Sequence, residues 1–291
     1  MANVLIVAHH ERVEAGILAQ TAATWLRRHG HVPWMAPDDA RALDLGELAA
    51  ERPPSDAELA LSLGGDGTML RTVQVLDGAS VPVIGVNVGY LGYLTEVEPN
   101  GLEAALERWF APPSDPARAA VRIEERMMLD VALRRSGDSG TEGPWRALNE
   151  AVLEKRESGH TVRLLVRIDG APFTSYAADG FIVATPTGST AYSLSARGPV
   201  VSPAHRALLL TPVSPHMLFD RSLVLDPDEP VEVEVLGHRP VDLAVDGQRV
   251  GTLAEGDVVS CQPAQAVARF VRFGPHRFHQ ILKAKFGLSD R

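Results

Sequence analysis

Hydrophobic and polar positions follow two different rhythms along the chain, and the change falls near Pro116. Before it, short β-rich runs are interleaved with helical patterns, the order expected of βαβ units around a parallel sheet. Asn3 to Ala8 reads as a buried strand. A helix follows in which Val13, Ile17, Thr21 and Trp25 recur every fourth residue, with Leu18 and Leu26 beside them, and Gly30 ends it. Val32 to Met35, Leu59 to Leu63 and Val81 to Val88 read as further strands. Thr68 to Leu76, closed by Asp77-Gly78, and Leu102 to Phe110, closed by Pro112-Pro113, read as helices.

Beyond Pro116 short alternating strands are separated by Gly, Pro and Asp turns. Arg122 to Arg134 and Arg146 to Arg156 flank a polar hairpin tip from Ser136 to Pro144. Val162 to Ile168, Phe181 to Thr185, Val231 to Leu236, Val241 to Val245 and Val267 to Phe273 continue the pattern, which predicts a β-sandwich. The fold expected is therefore an α/β N-terminal nucleotide-binding domain over residues 1–117 and an all-β sandwich domain over 118–274, α+β overall. The tail, 275–291, reads as a short helix with a basic end that packs back on the first domain.

Composition narrows the function. With 291 residues, 45% hydrophobic and 22% charged, the chain is an ordinary globular protein long enough for two domains. Its net charge of -9 argues against a nucleic-acid partner gripped by a basic face. No apolar run approaches 18 residues and no signal peptide is evident, so no membrane partner and a cytoplasmic location are expected. The single thiol, Cys261, fits a reducing compartment.

Leu63-Gly64-Gly65-Asp66-Gly67-Thr68 closes a strand and opens a helix, where a parallel sheet presents its ligands. Gly64, Gly65 and Thr68 form a candidate phosphate cradle, since glycines admit close approach and positive φ while free N–H groups favour an anion. A carboxylate at Asp66 beside phosphate makes sense if it takes a proton or meets a metal; a plain turn with Thr68 as N-cap is the alternative. Asp179-Gly180 leads through Thr185-Pro186-Thr187-Gly188-Ser189-Thr190-Ala191-Tyr192-Ser193, where hydroxyls and N–H groups converge on a ligand or merely cap a turn. Asn149-Glu150 interrupts a strand, and the two side chains serve one ligand only at a bulge or strand end. His216 reads equally as a buried structural imidazole or a ligand contact, and His9-His10 ends the first strand. No protein-built metal site is assigned.

Taken together with Asn87-Val88-Gly89-Tyr90-Leu91-Gly92-Tyr93-Leu94-Thr95, Leu148-Asn149-Glu150 and Pro215-His216, these motifs resemble the NAD kinase family in order, from about residue 59 to 250. The resemblance implies transfer of a phosphoryl group from ATP, or from polyphosphate, to the 2′-hydroxyl of the adenosine ribose of NAD. It implies Mg²⁺ arriving with the donor, and a homodimer or homotetramer. Asp66 matches the family's general base, with Gly67 its partner in the turn. Asn149 and Glu150 match residues holding the adenosine half, Asp179 a further substrate contact, and Thr190, Ala191, Tyr192, Ser193, Leu194 and Ser195 the segment around adenine and its ribose. Gln248 and His160 match substrate contacts, and Arg71 could reach a phosphate.

Three positions depart from the family pattern. Arg197-Gly198-Pro199 replaces Gly-Gly-Pro, Arg221-Ser222 replaces Arg-Pro, and Ala177, at a substrate position, stands where some relatives carry Arg. A lipid kinase shares the Gly-Gly-Asp-Gly-Thr turn but continues with a different strand motif. A non-catalytic dinucleotide sensor would have no need of a carboxylate at Asp66.

Overall fold

The computed structural model describes residues 1–275 and 278–288, and in it the chain forms two compact units, Met1–Glu125 with Ala268–Arg291, and Arg126–Val267. Pro116 thus marks the approach to a strand, and the unit boundaries fall inside strands.

The first unit begins with β1 (Asn3–Ala8), α1 (Val13–Arg28), β2 (Val32–Trp34), α2 (Pro37–Ala42), β3 (Leu59–Gly64), α3 (Asp66–Leu76) and β4 (Pro82–Asn87). Next come α4 (Leu102–Phe110), a short α5 (Pro116–Ala119) and the start of β5 (Arg122–Arg134). The strands are parallel in the order β2-β1-β3-β4. β1 lies between β2 and β3, so the chain leaves β1 to one side and β3 to the other. The gap between those two strand ends is a topological switch point, where an α/β sheet takes its ligand.

The face of α1 differs from the expectation. Val13 and Ile17 are exposed, and Ala15, Leu18, Ala19, Ala22, Ala23 and Leu26 meet the sheet instead. Alanine carries no bulk to hold a helix away from strands, so the small residues take the close contact and the β-branched ones face solvent. The helix α2, opened by Pro37 in its first turn, was not anticipated.

The second unit holds the rest of β5, then β6 (Glu142–Ala147), β7 (Glu150–Lys155), β8 (Val162–Ile168), β9 (Ala171–Ala178), β10 (Gly180–Ala184) and α6 (Tyr192–Ser195). It continues with β11 (Leu208–Val213), β12 (Leu223–Leu225), β13 (Val231–Leu236), β14 (Val241–Val245), β15 (Gln248–Leu253) and the first part of β16 (Val258–Arg272). One sheet runs β12-β11-β10-β7-β14-β15; on the other, β16, β13, β8 and β9 pair in that order. The single strand expected over Arg146 to Arg156 is two strands, broken at Leu148-Asn149, with β6 pairing β5 and β7 pairing β10 and β14. Between the sheets Phe181, Val183, Leu153 and Leu210 meet Tyr176, Leu164 and Val233. The opposite face of β10, Ile182 and Ala184, is covered by Tyr192 and Ala196. Burial on both faces explains why β10 is apolar throughout rather than alternating.

After β16 the chain ends in α7 (Phe278–Lys285), with Lys283 and Lys285 in its last turn. Of the expected tail helix, residues 276, 277 and 289–291 lie outside the described residues. Among the described residues no helix is long and apolar enough to cross a membrane.

Candidate active site

In the first unit the site grows from the end of β3. The three turn glycines are there for two reasons, and none adopts the positive φ anticipated for them. A Cβ on Gly64 would lie 2.6 Å from Thr68 Cβ, so this glycine lets the helix close on the strand. Around Gly65, at φ -104, and around Gly67 a Cβ would meet open space. That space is a cavity of about 560 Å³, lined by Gly65, Asp66, Gly67, Thr68 and Arg71 from the turn and α3 and by His9, His10, Glu11 and Arg12 from the segment after β1. The cradle therefore owes its openness to absent side chains. Helix α3 starts at Asp66 with Gly65 as N-cap, so Thr68 is inside the helix and is not its cap.

Asp66 does not cap its own turn either. Its Oδ2 accepts the N–H of Tyr93 and its Oδ1 that of Leu94, each at 2.9 Å. Each carboxylate oxygen keeps a further acceptor site. The loop supplying these donors is itself anchored. The Leu94 carbonyl accepts Arg272 Nη1 at 2.9 Å, and Lys285 lies over the Tyr93 ring at 4.4 Å. Gly92 has to be glycine, because a Cβ there would stand 3.0 Å from Asp66 Cγ and nearer still to Oδ1.

Arg12, Arg71 and His10 of this lining are each tied to another group of the first unit. Arg12 donates to the Val88 carbonyl. Arg71 donates to the Ala8 carbonyl at 3.2 Å and pairs with Asp39, whose Oδ1 also meets His10 Nε2 at 3.1 Å. Asp39 was missed in the sequence, where nothing sets it apart from its neighbour Asp38. Asp38 is exposed, yet Asp39 is only 5% exposed.

In the second unit Asn149 and Glu150 sit at the start of β7, the strand end at which neighbouring side chains can serve one ligand. Asp246 pins them there: its Oδ2 accepts Leu148 N–H at 2.7 Å, and its Oδ1 accepts those of Asn149 at 2.8 Å and Glu150 at 3.1 Å. Asp246 and Gly247 both adopt positive φ, as the tight β14–β15 hairpin requires. Glu150 is buried, and its Oε2 meets no partner among the described residues. Burial, and then the nearby Asp246, push its carboxyl up to about 8, against the pull of the Tyr192 N–H.

The threonine and serine turn is mostly spent on itself. Thr185 Oγ1 donates to the Leu148 carbonyl at 2.5 Å, Ser189 Oγ to the Val201 carbonyl at 3.1 Å, and Ser193 Oγ meets Thr211 Oγ1 at 3.0 Å. Of the two readings of this segment, the hydroxyls of Thr185, Ser189 and Ser193 follow the one in which they hold the turn. Gly188 is required because a Cβ would lie 2.6 Å from the Asn149 carbonyl carbon. Tyr192 is half-buried and donates to Glu154 at 3.2 Å; burial, then Glu154 and Asp179, raise its phenol above the usual range. Asp179 pairs with Lys155 Nζ at 2.5 Å.

Glu150, Tyr192 and Asp179 are thus brought together, with Thr190, Ala191 and Leu194 half-buried in the same segment. Ser195 is exposed at its end. Ala177 lies on β9, its carbonyl taking the His216 N–H at 2.7 Å. His160 and Gln248 are exposed, in the β7–β8 loop and at the start of β15. His216 is exposed too, which removes the buried-imidazole reading. Arg197 adopts φ +66, a left-handed conformation that suits the glycine it replaces.

Comparison with known proteins bears on both units. The family model for the ATP-NAD kinase N-terminal domain matches residues 4–113, and that for the ATP-NAD kinase C-terminal domain matches 148–273. An NAD kinase of Acidobacterium capsulatum is 36% identical, with 100% of each chain covered. NAD kinase 2 of Streptomyces coelicolor is 38% identical, covering 98% of this chain and 94% of its own. Among solved structures, yeast NADH kinase complexed with NADH superposes with a TM-score of 0.88 at 26% identity, covering 100% of this chain and 89% of that one. An Archaeoglobus fulgidus NAD kinase in complex with ATP shares the fold, with a TM-score of 0.73 at 23% identity.

Proposed function

The chain belongs to the NAD kinase family and is an enzyme that phosphorylates NAD; from that premise we propose which of its residues do the work. The lipid-kinase and sensor readings are set aside by the same kinship. Asp66 is the general base. It takes the proton from the 2′-hydroxyl of the adenosine ribose as that oxygen attacks the terminal phosphorus of the donor, and the bond to the leaving phosphate breaks. The observation that carries this assignment is the carboxylate of Asp66, fixed by two backbone N–H groups at the wall of a cavity that Arg12 and Arg71 also line.

The cavity receives phosphate. Gly65 and Gly67 admit its oxygens to the backbone at the start of α3, and Arg71 supplies positive charge. Asn149, Glu150, Asp179 and Tyr192 hold the adenosine half of NAD, with the Thr190 to Ser195 segment, Ala177, His160 and Gln248 contributing further contacts. Glu150, which holds a proton up to about pH 8, can donate as well as accept toward a ribose hydroxyl.

Among the described residues no three His, Cys, Asp or Glu side chains cluster as a metal cage. On the family reading a divalent ion such as Mg²⁺ would arrive with the donor, and Asp66, the one carboxylate of the glycine turn, is the residue that would meet it. When bound, the ion neutralises charge on the transferring phosphoryl group. We place the enzyme in the cytoplasm as a homodimer or homotetramer. Its single free thiol, Cys261, fits a reducing compartment, and the exposed Val13 and Ile17 on α1 fit a contact between copies.

The test is turnover of NAD with ATP and Mg²⁺, product being read by an NADP-dependent dehydrogenase, with polyphosphate as a parallel donor. Product from either donor supports the assignment; none from both would overturn it. Light scattering reads the oligomer.

A further inference from the structure

Two of the cavity's side chains, Arg71 and His10, converge on one acceptor that is not itself in the wall. Asp39 stands behind them on α2, its side chain 7% exposed, while those of Arg71 and His10 are 31% and 39% exposed. Asp39 is not among the residues that line the cavity, whereas both groups it holds are.

A long arginine free to rotate loses considerable side-chain entropy when it closes on a ligand, whereas one already tied at two points loses little. Arg71 is tied at Asp39 and at the Ala8 carbonyl, the last residue of β1. A planar guanidinium held by one edge still presents its remaining N–H groups in a fixed fork, the geometry that fits phosphate oxygens. His10 meets the same Asp39 Oδ1 through Nε2, so one carboxylate fixes a ring nitrogen of the imidazole as well as the guanidinium.

We infer that Asp39 is a positioning residue: it fixes Arg71 and His10 as a preformed grip for the phosphate chain of a substrate. This rests on the assignment of the cavity to phosphate. Both substrates carry the recognised chemistry, a triphosphate in ATP and a pyrophosphate in NAD, and the experiment separates them.

Asp39→Asn keeps the shape and removes the charge. In steady-state assays with each substrate varied in turn, KM for the one whose phosphates enter the cavity is expected to rise five- to twentyfold, with kcat within threefold of the parent. A rise for ATP alone assigns the grip to the donor, and a rise for NAD alone assigns it to the acceptor. Asp39→Glu, which restores the charge one methylene further out, is expected to fall between parent and Asn, and it serves as the test if Asp39→Asn does not fold. A purely structural role would lower the melting temperature and the folded fraction while leaving both KM values parental, and that result overturns the inference. Asp66→Asn, assayed alongside, tells the two readings apart: if it too has parental turnover, the assignment of the glycine turn fails as well.

Discussion

A methyl group added at Gly92 tests the site without changing any group proposed to react. The Cβ of Gly92→Ala would stand 3.0 Å from Asp66 Cγ and 2.9 Å from Thr95 Oγ1, while carbon atoms in contact settle about 3.5–4.0 Å apart. Something must therefore yield by roughly half an ångström to one ångström. Thr95 is buried and the loop backbone is tied to Arg272 through Leu94, so the carboxylate of Asp66 is the freest neighbour. Moving it stretches two hydrogen bonds that now measure 2.9 Å. A displacement of about 1 Å at a reacting group can cost on the order of a hundredfold in rate, about 2.7 kcal/mol of barrier. We expect kcat to fall by about 30- to 300-fold and the NAD dissociation constant, read by calorimetry, to stay within about twofold. Some stability is lost with the weakened bonds, so turnover is to be normalised to the folded fraction from a melting curve. A kcat within about threefold of the parent in folded protein would show that the position of Asp66 does not govern the rate.

Other substitutions probe other parts. Asp66→Asn places an amide N–H₂ against one of two backbone donors, so it should lower turnover about 10²- to 10⁴-fold and also lower the melting temperature; normal turnover in the folded fraction would remove Asp66 as base. Glu150 is raised from 4.5 to about 8, so the folded state holds a proton that the unfolded chain releases: its stability contribution is full below about pH 4.5 and is lost as pH climbs toward 8, by about 1.4 kcal/mol per pH unit. Glu150→Gln should flatten the fall in melting temperature between pH 5.5 and 7.5, and identical slopes in parent and variant would contradict the burial argument. Arg197→Gly releases a left-handed residue worth about 1 kcal/mol, in part offset by glycine's extra freedom when unfolded, so melting should rise by a degree or two. In contrast Gly198→Ala puts a Cβ 2.8 Å from the Ser193 carbonyl oxygen and should lower it.

The pair Arg197-Gly198 shows what a sequence can and cannot tell. The resemblance leads one to expect glycine at both positions, yet one serves conformation and the other space, and only the structure separates them. Strands with clean alternation, such as Val231–Leu236 and Val241–Val245, were legible to the residue because one buried face sets the period. The glycine turn was legible as a strand end opening a helix. The face of α1 was misjudged because hydrophobicity outranked size, and alanines won the sheet by being small. Asp39 and Asp246 stayed hidden for a common reason. Each acts on segments far away in sequence, and nothing in an Asp-Asp or Asp-Gly pair says which distant atoms it will meet.

The first unit is not a continuous stretch of chain. The end of β16 adds beside β4, with Phe270 fully buried, and the residues that steady the Asp66 loop, Arg272 and Lys285, come after it. On the ribosome, therefore, the N-terminal half emerges early but lacks its last strand until the intervening sandwich, Arg126–Val267, has been made. At roughly 5–20 residues per second that wait is on the order of ten seconds. During it the outer edge of β4 lacks its final partner and Asp66 lacks its full support. The Asp66 loop thus gains these contacts only after β16 and α7 have been made, and a chain cut short before β16 is left with its glycine turn but without the residues that steady the loop beside it.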